Sequence, residues 1–328
     1  MDSFIFALSA VAPIIAMVAI GYFLKRIGWM NADFAKAANR LVFRVFMPVM
    51  LFVNIYKIES LVGVDLRYML YSVLALLGIF LLSIVPIFLV AGAKDRRGVL
   101  MQAITRSGYS LIGFPIAYSL WGEEGRIAAA LLSVAVIPLF NVLAVVSLSA
   151  FGDGAKKPSV KKILLDIAKN PLILGIAAAM IVILVRSLFV KCDVSFRLTD
   201  IGPLFSVLNY LADLAVPLAL LVLGAQFELS AVSSLKKEII LGVVARTVVA
   251  PMLTIGVAYF AFGDLFTPAH YACFVALFAT PVAVPSVPMV QEVGGDLTLA
   301  GQLVVWSTLA SAFTMFATVA LLRFGGAF

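Results

Sequence analysis

Apolar segments long enough to cross a bilayer recur from one end of this 328-residue chain to the other. Crossing the hydrocarbon takes about 20 residues of helix, and backbone groups that meet no water there must be satisfied inside the segment. A chain written this way folds as helices packed in lipid. Composition agrees, with 63% hydrophobic and 12% charged residues, against roughly 45 to 50% apolar and 25% charged in soluble domains. The first segment has neither a basic flank before it nor a small-residue cleavage site, so it reads as a retained span and not a signal peptide.

Hydropathy and helix breakers predict ten spans, near residues 4–24, 39–57, 66–92, 98–121, 126–151, 163–190, 203–227, 236–262, 268–293 and 297–323. The expected fold class is an all-α polytopic membrane protein. The basic turn GDGAKKPSVKK falls at 152–162, and no connection is long enough to hold a domain. Basic residues crowd one side of this arrangement, at 25–26, 36–40, 94–97, 156–162, 169 and 236–237, and are sparser on the other, at Lys57, Arg67, Arg126, Arg186, Lys191, Arg197 and Arg323. Cytoplasmic loops carry the excess of Lys and Arg, which puts both termini outside, on the periplasmic face of a bacterial inner membrane. The net charge of +7 is thereby explained by topology, and nucleic acid is not a partner; membrane lipid is.

Two cysteines, Cys192 and Cys273, and one histidine, His270, offer neither a disulfide framework nor metal-ligand spacing. No metal and no other cofactor is implied. His270, at the mouth of a span, reads as solvated.

The chain reads as two halves, 1–152 and 163–328, joined by a short cytoplasmic linker at 153–162. With the second span laid over the seventh, Pro48 falls on Pro217; with the third over the eighth, Pro86 falls on Pro251. The fourth and fifth spans fall on the ninth and tenth at one constant spacing, which matches Pro115 to Pro288, Gly122 to Gly295 and Glu123 to Asp296. Five spans per half is an odd number, so the repeat is inverted, a common plan in transporters.

Each half then carries one span interrupted near its middle: SGYSLIGFP, from Ser107, and TPVAVPSVP, from Thr280. Proline removes a backbone donor and its ring clashes with the carbonyl four residues back. Such breaks are tolerated at membrane depth only where protein or a wet cavity receives the freed groups, and paired breaks mark a transporter's binding site. The half-helix starts near Ser110 to Gly113 and Val284 to Ser286 present positive dipole ends that suit an anion. Ordinary proline kinks are the alternative reading.

FRVFMPVMLF in the second span, SGYSLIGFPIAYSLWG in the fourth, NPLILG opening the sixth and TPVAVPSVPMVQEVGGD in the ninth together resemble the bacterial branch of the auxin efflux carrier family. These carriers are relatives of the plant PIN exporters, within the bile acid/arsenite/riboflavin transporter superfamily. The resemblance covers essentially the whole chain. It implies a scaffold of helices 1, 2, 6 and 7, and a transport domain of helices 3–5 and 8–10 whose fourth and ninth helices cross at Pro115 and Pro288. It further implies secondary transport of small organic anions, malonate-like carboxylates or auxin-like acids, by a homodimer. Gly108 stands where the plant carriers have asparagine, which weakens any transfer of auxin recognition.

The residues expected at a substrate site are Arg106, Gly108, Tyr109, Ser110, Gly113, Pro115, Asn141, Pro285, Ser286 and Pro288. Arg106 stands one residue before the first break and offers forked donors to a carboxylate; snorkelling is its alternative. Asn141 is an amide in a span and needs a partner, helix or ligand. For ion coupling the expectation is Asp213, an ionised group near the midplane, with Arg106 or Arg246 as its static partner otherwise. If sodium is used, Gln291 and Glu292 are the expected oxygen donors after the free carbonyls, with simple solvation as the alternative for Glu292; Arg44 is expected to snorkel.

An intramembrane enzyme would need a nucleophile with its base, or metal ligands, and no such motif occurs. A channel would show a filter or charged ring. The favoured function is secondary active transport of small organic anions by alternating access, compatible with proton-driven import or with export down the anion gradient; sodium symport in the manner of the bile acid carriers, and uniport without an ion, are the alternatives.

Overall fold

The computed structural model describes residues 2–58, 65–151, 160–192 and 195–328. The helices are α1 Asp2–Arg26, α2 Ala32–Tyr56 and α3 Leu66–Val90, α4 Lys94–Thr105, α5 over 109–120 and α6 over 123–151. They continue with α7 Val160–Lys169, α8 Pro171–Lys191, α9 Gly202–Gln226 and α10 Lys236–Leu265. Helices α11 Pro268–Ala279, α12 Ser286–Val293 and α13 Leu297–Phe324 complete the series. Every segment placed from hydropathy is helical over most of its length, and among the described residues no strand occurs beyond one isolated bridge.

The protein is an all-α polytopic membrane protein. Among the described residues, seven helical stretches are long and apolar enough to cross a bilayer. One of them, 109–151, folds back on itself at Trp121 and Gly122, where φ turns to 53°. Large apolar side chains stand on the outside, Phe260 at 87% and Leu89 at 81% exposure, as hydrocarbon permits and water would not.

Side-chain caps set several helix starts. Asn31 Oδ1 accepts from the Phe34 amide at 2.8 Å, and Asp296 Oδ1 accepts from Leu299 at 2.9 Å, each satisfying an orphan donor of a first turn. Asn170 does the same for Leu172 at 2.9 Å, and Pro171 follows at the one helical position where a missing N–H costs nothing. The segment expected as a single span at 163–190 is therefore two helices, α7 and α8. The second span likewise begins early, at Ala32 and not 39. Most of the basic turn at 152–162, Lys156 and Lys157 included, lies outside the described residues.

Glycines bring helices to backbone contact. A Cβ on Gly224 of α9 would lie 2.0 Å from the Val18 carbonyl oxygen of α1, and one on Gly21 equally close to that of Leu221. Gly175 of α8 touches the Pro48 carbonyl of α2, and Gly98 of α4 that of Ser147 on α6. Small residues at such crossings allow the van der Waals packing that holds helices together in lipid. Gly122 and Gly295, matched by the repeat, both adopt positive φ, 53° and 131°, at the turns that follow the two broken segments.

Candidate functional site

Both predicted breaks exist, and they meet. Helix α4 ends in extended backbone at Arg106 and α11 in extended backbone at Thr280. Ser107 and Val282 then form an antiparallel bridge. The Gly108 amide donates to the Pro281 carbonyl at 2.8 Å, and the Ala283 amide to that of Arg106 at 3.2 Å. Val282 donates to Ser307 Oγ on α13 at 3.0 Å. Strand-like pairing thus repairs the helices' lost hydrogen bonds, as buried polar backbone requires.

The crossing lies at Ser107 and Val282, not at Pro115 and Pro288. Pro115 is exposed, seven residues or more along α5 from the break, and Pro288 is the third residue of α12, inside a first turn whose amides have no helical acceptor anyway. Gly108 and Gly113 serve the crossing: a Cβ on Gly113 would lie 2.9 Å from the Ala276 carbonyl oxygen. Tyr109 is buried and donates its hydroxyl to the Ala129 carbonyl at 2.7 Å, which ties α5 to α6.

Arg106 turns the other way. The residue is 5% exposed; Nη2 donates to Asn141 Oδ1 at 3.0 Å and Nη1 reaches Met289 Sδ at 3.1 Å. Asn141 is held in turn by its own Nδ2, which donates to the Ile137 carbonyl at 2.8 Å. Among the described residues no carboxylate forms an ion pair with Arg106. Arg106, Ser107, Tyr109, Ser110, Asn141 and Pro285 line a cavity of about 20 Å³ together with Met47, Met50 and Leu51 of α2. That is room for about one water molecule, too little for an organic anion with the side chains as they stand. The Ser107 and Ser286 hydroxyls are buried with no hydrogen-bond partner.

The expected coupling residues are not at this cavity. Asp213 stands on an exposed face of α9, and neither arginine pairs with it. Arg246 is fully buried and spends its donors on backbone carbonyls. Gln291 accepts from Asn39 at 2.8 Å and from Gln226 at 3.2 Å, in an amide cluster joining α12 to α2 and α9. Glu292 is not simply solvated: its side chain is 10% exposed and pairs with Arg44 at 2.9 Å and Arg40 at 3.6 Å. Arg44 therefore reaches protein and does not snorkel away from it. His270 is buried too, its ring stacked on Tyr68 at 4.3 Å.

Asn39 and Gln226 escaped the sequence reading, although polar side chains within apolar spans were the signal available. Met289 carried no signal, because thioethers are ordinary core fillers.

The family profile described as "Membrane transport protein" matches residues 6–319. The chain belongs to that family. It is the auxin efflux carrier family that the crossover motifs resemble. An uncharacterized transporter of Methanocaldococcus jannaschii is 28% identical over 253 residues, 74% of this chain and 76% of its own length. One of Methanothermobacter thermautotrophicus is 22% identical over 93% of this chain and 95% of its own. The uncharacterized transporter YfdV of Escherichia coli is 27% identical over 55% of this chain and 59% of its own. The chain is a membrane transporter of this family.

Proposed function

We propose that this family member is a secondary carrier of small organic anions that works by alternating access, with the anion held between the two helix breaks. The observation that carries this reading is the Arg106 guanidinium, buried beside the cavity with only neutral partners, Asn141 and Met289. A buried cation without a counter-ion is costly, and a carboxylate entering the cavity supplies one with paired donors. The unpartnered hydroxyl of Ser107, which lines the cavity, adds a donor suited to the same oxygens.

In this reading the ten segments are ten crossings in two inverted repeats, whose correspondence is supported by the matched glycines Gly122 and Gly295. Helices α1, α2, α8 and α9 form the scaffold, which also pairs two copies, and the remaining helices move against it. Both termini face the periplasm of a bacterial inner membrane. Asp213, exposed on α9, has no part in the anion site.

Purified protein is tested by thermal shift and scintillation proximity with malonate, succinate, lactate and indole-3-acetate, alongside Arg106→Ala. Stabilisation by one of these acids that disappears in Arg106→Ala supports the reading. Equal binding by Arg106→Ala, or no response to any carboxylate, overturns it in favour of neutral or cationic solutes.

A further inference from the structure

Arg246 sits where α10 opens into a π-type turn, Ala245–Val249, a distortion that re-aims side chains inside helices. All five of its N–H groups are engaged. Nε donates to the Thr280 carbonyl at 3.0 Å, Nη1 to those of Ile104 at 3.1 Å and Thr105 at 3.3 Å, and Nη2 to those of Leu277 at 2.8 Å and Phe278 at 2.9 Å. Ile104 and Thr105 end α4, and Leu277 and Phe278 lie in the last turn of α11. One side chain from a third helix therefore binds the C-terminal ends of both half-helices at their crossing.

A helix C-terminus carries a partial charge of about −0.5, so two that converge amount to roughly one negative charge. In carriers with discontinuous helices, unwound carbonyls and half-helix C-terminal ends are the groups that coordinate a coupling sodium ion. Here a permanently charged guanidinium already fills that position. We infer that Arg246 is a built-in cation that replaces a coupling metal ion at the crossover, so the carrier's broken helices are assembled and moved without sodium. This rests on the carrier reading for its functional meaning, yet concerns a side chain that shares no partner with Arg106, and its test uses no carboxylate.

The full-length chain in detergent is melted in sodium chloride, potassium chloride and choline chloride at equal ionic strength, as wild type, Arg246→Ala and Arg246→Lys. The wild type is expected to melt at the same temperature in all three salts. Arg246→Ala, with five carbonyls orphaned, melts lower and regains several degrees on addition of millimolar methylguanidinium, or of sodium over choline. Arg246→Lys, with three donors for five acceptors, falls between the two and keeps the inference testable should Arg246→Ala fail to fold. Sodium-specific stabilisation of the wild type overturns the inference. So does an Arg246→Ala protein as stable as wild type and indifferent to methylguanidinium. Failure of the anion reading, by contrast, shows only in the carboxylate titration of wild type and Arg106→Ala.

Discussion

The Glu292 carboxylate on α12 meets the Arg44 guanidinium on α2 at 2.9 Å, next to the cluster in which Gln291 holds Asn39 and Gln226. The helix that follows the second break is thus clasped to the helices expected to stay fixed while it moves. Arg44 is 62% exposed on its side chain, and exposed pairs contribute under about 1 kcal/mol. Glu292→Gln should leave the melting temperature nearly unchanged but free this end of α12. In a Cys192→Ser background, maleimide labelling of Ala283→Cys, at the cavity wall, should become several-fold faster; an unchanged rate would show that the clasp does not gate the cavity.

Asn141 accepts from Arg106 at 3.0 Å, so Asn141→Asp places a carboxylate of the same shape against the guanidinium. The fold should tolerate this, because a buried cation gains a counter-ion. Carboxylate binding should fall at least tenfold, since the site then carries its own anion. Retained affinity in a titration calorimeter would mean that Arg106 does not hold the ligand's charge.

Gly224→Val puts side-chain atoms where the Val18 carbonyl oxygen already sits 2.0 Å from an ideal Cβ. Helix α9 must move off α1, with an expected loss on the order of 1–3 kcal/mol or more. Gly78→Ala on α3 meets nothing within 4 Å and should be neutral or stabilising by about 0.5–1 kcal/mol, as for glycine in a helix interior. Fluorescence-detected gel filtration after heating separates the two; equal survival would contradict the tight α1–α9 crossing.

Ser307→Ala deprives the Val282 amide of its acceptor. An orphaned buried donor costs roughly 1–3 kcal/mol, and this one sits at the strand pairing of the breaks. A lower melting temperature is expected, with Ser311→Ala as the comparison, because the Ser311 hydroxyl only donates back to the Thr308 carbonyl of its own helix.

The helices and the breaks were legible because they depend on chemistry local in the chain. Run length and hydropathy decide whether a segment enters lipid, and Gly and Pro decide where its ladder fails, so Ser107 to Gly113 and Thr280 to Ser286 were found by inspection. The junction at Asn170 was missed because a polar cap inside an apolar run looks like one more residue of a span. Proline position misled in the other direction: Pro115 and Pro288 sit on an outer face or inside a first turn and are tolerated there, while the crossing falls at Ser107 and Val282, beside Pro281.

Asp213 and Arg246 divide what a sequence determines from what packing decides. Position along a span sets depth, and both residues were placed deep by counting at 1.5 Å per residue. Depth says nothing of azimuth, which turns by a full circle every 3.6 residues. Only the packed structure turns Asp213 outward on α9 and turns Arg246 inward onto five carbonyls drawn from two other helices. The chain by itself determined that helices cross lipid and where two of them break. Which polar groups meet at those breaks was decided by tertiary structure, because unpaired donors and acceptors in a dry interior are satisfied across space, by residues far apart in sequence.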